Sequence, residues 1–177
     1  MTNPRSAWDS VTGTRRDLLT LRREPAESED EDDRVTTIIN GRDLIPILRE
    51  MELRLATADG KPMAAGSYGG LTPVEWEWIG DMIEGKPSTA IMADGSVAVL
   101  ACECGVTDCW PLCAHVEVSS GIVEISGFFQ PYRPEWRYDG LGPFIFSQRQ
   151  LLKEIRGLQS DPSPPRTPVR DDDASSR

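Results

Sequence analysis

Residues 90–126 read AIMADGSVAVLACECGVTDCWPLCAHVEVSSGIVEIS. Apolar and polar positions alternate through much of this stretch, around two turn signals. Asp94-Gly95 suits the positive φ of a tight turn, and Ser119 to Gly121 offers a second reversal. Alternation with short reversals is the mark of adjacent antiparallel strands, and it rules out a wholly helical or a strictly parallel fold. A sheet with one face to cover needs helices, and the flanking sequence supplies them. RDLIPILREMELRLA places Leu44, Ile47, Leu48, Met51 and Leu55 at helical spacing, with Asp43 as its cap. TPVE, residues 72–75, combines a capping hydroxyl, a proline at the first helical position and a carboxylate three residues after the cap. Its helix carries Val74, Trp78 and Met82 on one face and Trp76, Ile79 and Ile83 beside it, so both tryptophans are expected at or near the core. A third helix follows FIFS, with Ser147 and Gln150 as a capping box. VTTII, residues 35–39, reads as a strand closed by Asn40-Gly41. The expected fold class is α+β: a mainly antiparallel sheet with about three helices packed on it.

The domain limits come from where apolar residues concentrate. Overall 38% of the chain is apolar, and nearly all the branched and aromatic side chains fall in residues 34–158. That is a folded unit of about 125 residues, within the usual domain range. Residues 1–33 are polar and end in the acidic run ESEDEDD, which reads as a solvated tail. Residues 159–177, SDPSPPRTPVRDDDASSR from residue 160, read as a second tail rich in proline, serine and charge.

The net charge is -10, and both tails and the core each hold more acids than bases. Such a surface repels phosphate backbones and anionic bilayers, so neither nucleic acid nor membrane is an expected partner. No apolar run is long enough to span a bilayer. Arg15-Arg16 resembles an export signal only superficially, because further arginines and acids stand where a long apolar run is required. The expected compartment is the cytoplasm, where thiols stay reduced.

All four cysteines and the single histidine lie in residues 102–115, CECGVTDCWPLCAH. Cys102, Cys104, Cys109, Cys113 and His115 are of the types that hold Zn²⁺, yet their spacing lacks the paired C-x2-C knuckles of a zinc ribbon. If residues 97–104 and 112–118 are neighbouring strands, alternation sets Cys102 and Cys104 against the face bearing Cys113 and His115. A β-bulge would be needed to bring them together. Three readings stay open. Cys102, Cys104 and Cys113 are small buried apolar residues around a GVTD turn; or the cluster holds structural zinc; or the thiols do redox chemistry, against which stand the lack of C-x-x-C and of flanking bases. No serine or thiol is placed by any motif as a partner for His115.

QPYRPEWRYDGLGPF, residues 130–144, gathers Tyr132, Arg133, Trp136 and Tyr138 among prolines and glycines. A rigid loop of such residues either presents a binding surface or folds back to seal a small core. Without a complete catalytic signature, the sequence is read as a non-catalytic cytoplasmic domain that binds an unidentified protein or small ligand through Tyr132, Arg133, Trp136 and Tyr138. A structural zinc protein and a thiol-redox enzyme are the alternatives.

CECGVTDCWPL followed by a strand and then QPYRPEWRYDGLGPFIFSQRQ resembles a family of small actinobacterial proteins with the pattern CxCGxxxCWPL … QPxRPxWxYxGLGPFxF. VTTIINGRDLIPILRE and AGSYGGL are similar to it as well, so the resemblance covers most of the core and neither tail. It implies no established activity. In that pattern Cys102, Cys104 and Cys109 are matched, whereas Cys113 and His115 are peculiar to this chain.

Overall fold

The structure is a computed structural model that describes residues 7–8, 15–26, 28 and 31–160. In chain order the strands are β1 (Ala7–Trp8), β2 (Arg15–Arg16), β3 (Leu19–Glu24), β4 (Arg34–Ile39) and β5 (Arg42–Asp43). Helix α1 (Leu44–Ala58), β6 (Tyr68–Gly69) and α2 (Pro73–Ile83) follow. The second half holds β7 (Val97–Cys102), β8 (Leu112–Ser119), β9 (Ile122–Phe129), β10 (Phe144–Ser147) and α3 (Gln148–Ser160). Strands β10-β9-β8-β7-β6 form an antiparallel sheet, β3-β4-β5 a second one, and β1 pairs with β2. The α+β expectation therefore holds, with the strands divided between sheets.

Local signals explain the element ends. Asp43 accepts the Ile45 N–H at 3.0 Å and starts α1. Thr72 and Glu75 form the expected capping box at the start of α2. The β8–β9 hairpin turns on Ser120 and Gly121, with φ of 48° and 75°, the conformation of a two-residue primed turn. At Asp94-Gly95 the reversal forms, but it joins only one bridge, Ile91↔Val97, rather than two full strands.

Every residue of β7 is buried, and the strand lies inside its sheet between β8 and β6. Leu44 and Leu48 of α1, Trp76, Ile79 and Ile83 of α2, and Leu151, Leu152, Ile155 and Leu158 of α3 complete one core. At such close packing glycine is a steric requirement: a Cβ on Gly70 would overlap the Val35 carbonyl, where β4 meets the segment before α2. Among the described residues no helix is long and apolar enough to cross a membrane.

Three expectations need correction. Residues 1–33 are not all tail: β3 pairs along β4 from Leu19↔Ile39 to Glu24↔Arg34, and Leu19 and Leu21 enter the core while Thr20 stays exposed. Within the acidic run, Asp33 is buried and accepts from Arg23 Nε at 2.6 Å and from the Ala26 N–H at 2.9 Å. At the other end α3 continues through Ser160, and Gln159 donates to the Pro73 carbonyl at 3.3 Å; residues 161–177 lie outside the described set. On α2 the apolar stripe that faces the core is Trp76, Ile79 and Ile83, whereas Val74 and Trp78 are exposed.

Candidate metal centre

Cys102 is the last residue of β7, where it pairs with Tyr68 of β6. The chain then leaves the sheet. The Gly105 N–H donates to the Cys102 carbonyl at 2.9 Å, the Cys109 N–H to the Val106 carbonyl at 3.2 Å, and the two turns fold residues 103–110 back on themselves. Gly105 has φ of 90°, in the region that glycine alone enters freely. Its carbonyl accepts from Arg34 Nη2 at 3.1 Å. On the other side Thr107 Oγ1 donates to Glu75 Oε1. The turn is thus tied to β4 and to the start of α2.

This folding brings the Sγ atoms of Cys102, Cys104 and Cys109 within 4.8 Å of one another. Three thiolates on a tetrahedral Zn²⁺ at the usual bond length of about 2.3 Å stand about 3.8 Å apart, so the sulfurs need only a small side-chain adjustment to meet one ion. Cys102 is buried, and Cys104 and Cys109 are exposed. A hydrogen bond from the Val106 N–H, then one from Cys102, lowers the Cys104 thiol below its ordinary value. Cys109, hydrogen-bonded to Cys102 and Cys104, is pushed up to about 11.

The other two expected ligands are elsewhere. Cys113 is fully buried, its Sγ lies 3.6 Å from Met92 Sδ, and burial pushes its thiol up to about 11. The exposed His115 ring stacks on Phe129 at 5.9 Å. A five-member ligand set is therefore corrected to three. Strand alternation does not extend to Cys104, which belongs to the turn because β7 ends two residues earlier. The same fact corrects the reading of Cys104 as a buried apolar residue; it applies to Cys102 and Cys113 alone. Bulges do interrupt β7–β8 and β8–β9 pairing, yet they leave Cys113 in the core.

The aromatic stretch seals the core and supports the turn. Trp136 and Tyr138 are 3% and 7% exposed, which corrects their expected place on a binding surface. Trp136 Nε1 donates to Asp59 Oδ2 at 3.0 Å, just past the end of α1. Tyr138 Oη donates to Glu52 Oε1 at 2.6 Å. Tyr132 is 51% exposed, and its hydroxyl donates to the Asp108 carbonyl at 2.6 Å, inside the cysteine turn. Trp110, the residue after Cys109, stacks on Tyr132 at 6.3 Å, meets Trp136 edge-on at 6.2 Å, and carries the Arg133 guanidinium 5.2 Å above its ring. The two stretches that stand out in the sequence are one structural unit.

Two members of that unit were not singled out from the sequence. Trp110 had a signal in its place beside Cys109. Glu52 had a clearer one: Leu44, Leu48, Glu52 and Ala56 recur every four residues on the buried stripe of α1, so a carboxyl was due inside the core and needed donors. It accepts from the Gly66 N–H at 2.8 Å and from Tyr68 Oη at 2.7 Å, besides Tyr138. Tyr68 is also the cross-strand partner of Cys102, so this buried network reaches the strand position beside the first of the cysteines. No protein-family model, curated protein or solved structure matches the chain.

Proposed function

We propose that the protein is a metal-binding α+β domain in which Cys102, Cys104 and Cys109 hold one Zn²⁺ at the end of β7. The observation that carries this reading is the mutual approach of three Sγ atoms within 4.8 Å. Soft thiolates suit zinc, and a single small ion fits sulfurs this close together. Three protein ligands leave a fourth position to solvent or to a bound ligand, as in open zinc sites. The free thiols are consistent with a reducing compartment, and we place the domain in the cytoplasm.

Protein purified without chelator should carry about one zinc per chain. Cys104→Ser and Cys109→Ser, both at exposed positions, should lose it, while Cys113→Ser should keep it. Zinc at a hundredfold excess over its dissociation constant should add about 2.7 kcal/mol to the unfolding free energy. A metal-free wild-type chain whose unfolding ignores added zinc contradicts the proposal.

A second reading, a non-catalytic interaction surface, is favoured by the exposed Tyr132 ring stacked on Trp110 under Arg133. It narrows the binding residues from four to Tyr132 and Arg133, with Trp110 added. Thiol-redox chemistry has less support, because the same three sulfurs are accounted for as ligands.

A further inference from the structure

The ligand count carries more information than the ligand type. The group of close donors has three members among the described residues, and the two further ligands expected from the sequence have other neighbours, Cys113 beside Met92 and His115 on Phe129. For zinc the missing donor leaves a coordination position unfilled. Trivalent arsenic differs: it takes three sulfurs in a pyramid and keeps a lone pair where a fourth ligand would stand. A site of three thiols and no fourth donor matches that geometry.

We infer that Cys102, Cys104 and Cys109 together form a binding site for trivalent arsenic, taken up as arsenous acid. This rests on the reading above that the three sulfurs act as one ligand set. The reaction is a condensation: three As–O bonds break, three As–S bonds form, and each thiol proton leaves with a hydroxide as water. Arsenic remains trivalent, and no oxidant or reductant takes part. Access is open, since Cys104 and Cys109 are exposed at the turn and Cys102 is the floor beneath them. Arsenous acid is uncharged at neutral pH, so the net charge of -10 does not oppose its approach. Hydrogen bonds from Arg34 to Gly105, from Thr107 to Glu75 and from Tyr132 to Asp108 hold the turn from three directions. That support reduces the ordering that binding requires.

The test uses the full chain, reduced, freed of metal and of reductant, and incubated with sodium arsenite. Intact-mass measurement should show one adduct per chain with the mass of arsenic less three hydrogens. Serine at Cys102, Cys104 or Cys109 removes one arm of the chelate and should weaken binding roughly 100-fold or more. Cys113→Ser should bind like the wild type. Circular dichroism checks the fold of each variant, and Cys104 and Cys109, being exposed, keep the test valid if Cys102→Ser fails to fold. An adduct that retains a hydroxyl shows two-sulfur capture and overturns the inference, as does binding that survives Cys109→Ser. Zinc uptake without an arsenic adduct overturns this inference and leaves the zinc reading standing. An arsenic adduct in a chain that takes no zinc does the reverse.

Discussion

Glu52→Ala is expected to destabilise the protein by about 3–5 kcal/mol, a large share of the stability of an ordinary domain. The Glu52 side chain is fully buried. Its removal leaves a cavity and takes the shared acceptor from three buried donors, the Gly66 N–H and the hydroxyls of Tyr68 and Tyr138, which keep only the 3.4 Å contact with each other. Glu52→Gln separates these costs. The amide oxygen still serves the tyrosines, but its NH₂ then faces the Gly66 N–H, donor against donor, at a cost of about 1–3 kcal/mol. Adding Tyr68→Phe and Tyr138→Phe to Glu52→Ala removes two of the stranded hydroxyls, so the triple variant should be less destabilised than the sum of its parts. Urea unfolding of the wild type, the three single variants and the triple variant measures this directly; strict additivity would show that the network is not coupled.

The same network has a pH signature. Burial above all raises the phenol pKa of Tyr68 and of Tyr138 well above the ordinary value; Glu52 adds to the rise at both, while the hydrogen bond with Tyr68 works against it at Tyr138. In the unfolded chain these phenols ionise near pH 10, while in the folded protein they stay protonated. Their contribution is therefore complete below about pH 10 and is lost as pH rises further, at about 1.4 kcal/mol per pH unit for each tyrosine. Urea midpoints should fall above pH 10, and Tyr68→Phe should fall less steeply than the wild type.

Trp136→Ala is the second large effect, with an expected cost of about 3–5 kcal/mol. The indole is 3% exposed, donates to Asp59 and meets Trp110 edge-on. Trp136→Phe keeps most of the buried ring and gives up the hydrogen bond; Asp59 is partly exposed and regains water, so about 1 kcal/mol is expected there. Because Trp110 follows Cys109, loss of its edge partner should loosen the turn and weaken metal binding by roughly 10–100-fold in variants that still fold, as loss of supporting contacts does at other metal sites. Thermal unfolding and zinc titration report the two effects separately. A Trp136→Ala protein as stable as the wild type would return this ring to the surface role first assigned to it.

What was legible in the sequence was local. Asp43, the Thr72 and Glu75 box and the turn before Gly121 act over a few residues, and each is where the sequence puts it. The strand at Leu19 and Leu21 was obscured because two leucines alternate there among arginines, and only pairing with β4 gives them a core to enter. On α2, Trp76-Ile79-Ile83 and Val74-Trp78-Met82 are equally good helical stripes, and the choice between them is made by α3 packing from outside. The candidate site is non-local in the same sense. Tyr138 is 86 residues from Glu52, and Tyr132 is 24 from Asp108, so composition announced aromatic rings and cysteines without announcing that the first support the second. Cys104 was misplaced by a boundary error of two residues, enough to move a sulfur from a strand face into the turn.

The measurement closest to the central claim is X-ray absorption at the zinc edge of the zinc-loaded full chain. The account predicts three sulfur scatterers at about 2.3 Å and one lighter atom, oxygen or nitrogen, in the fourth position. Four sulfurs would bring Cys113 into the site and contradict the three-thiol centre; a shell of oxygen and nitrogen alone would remove the cysteines from it.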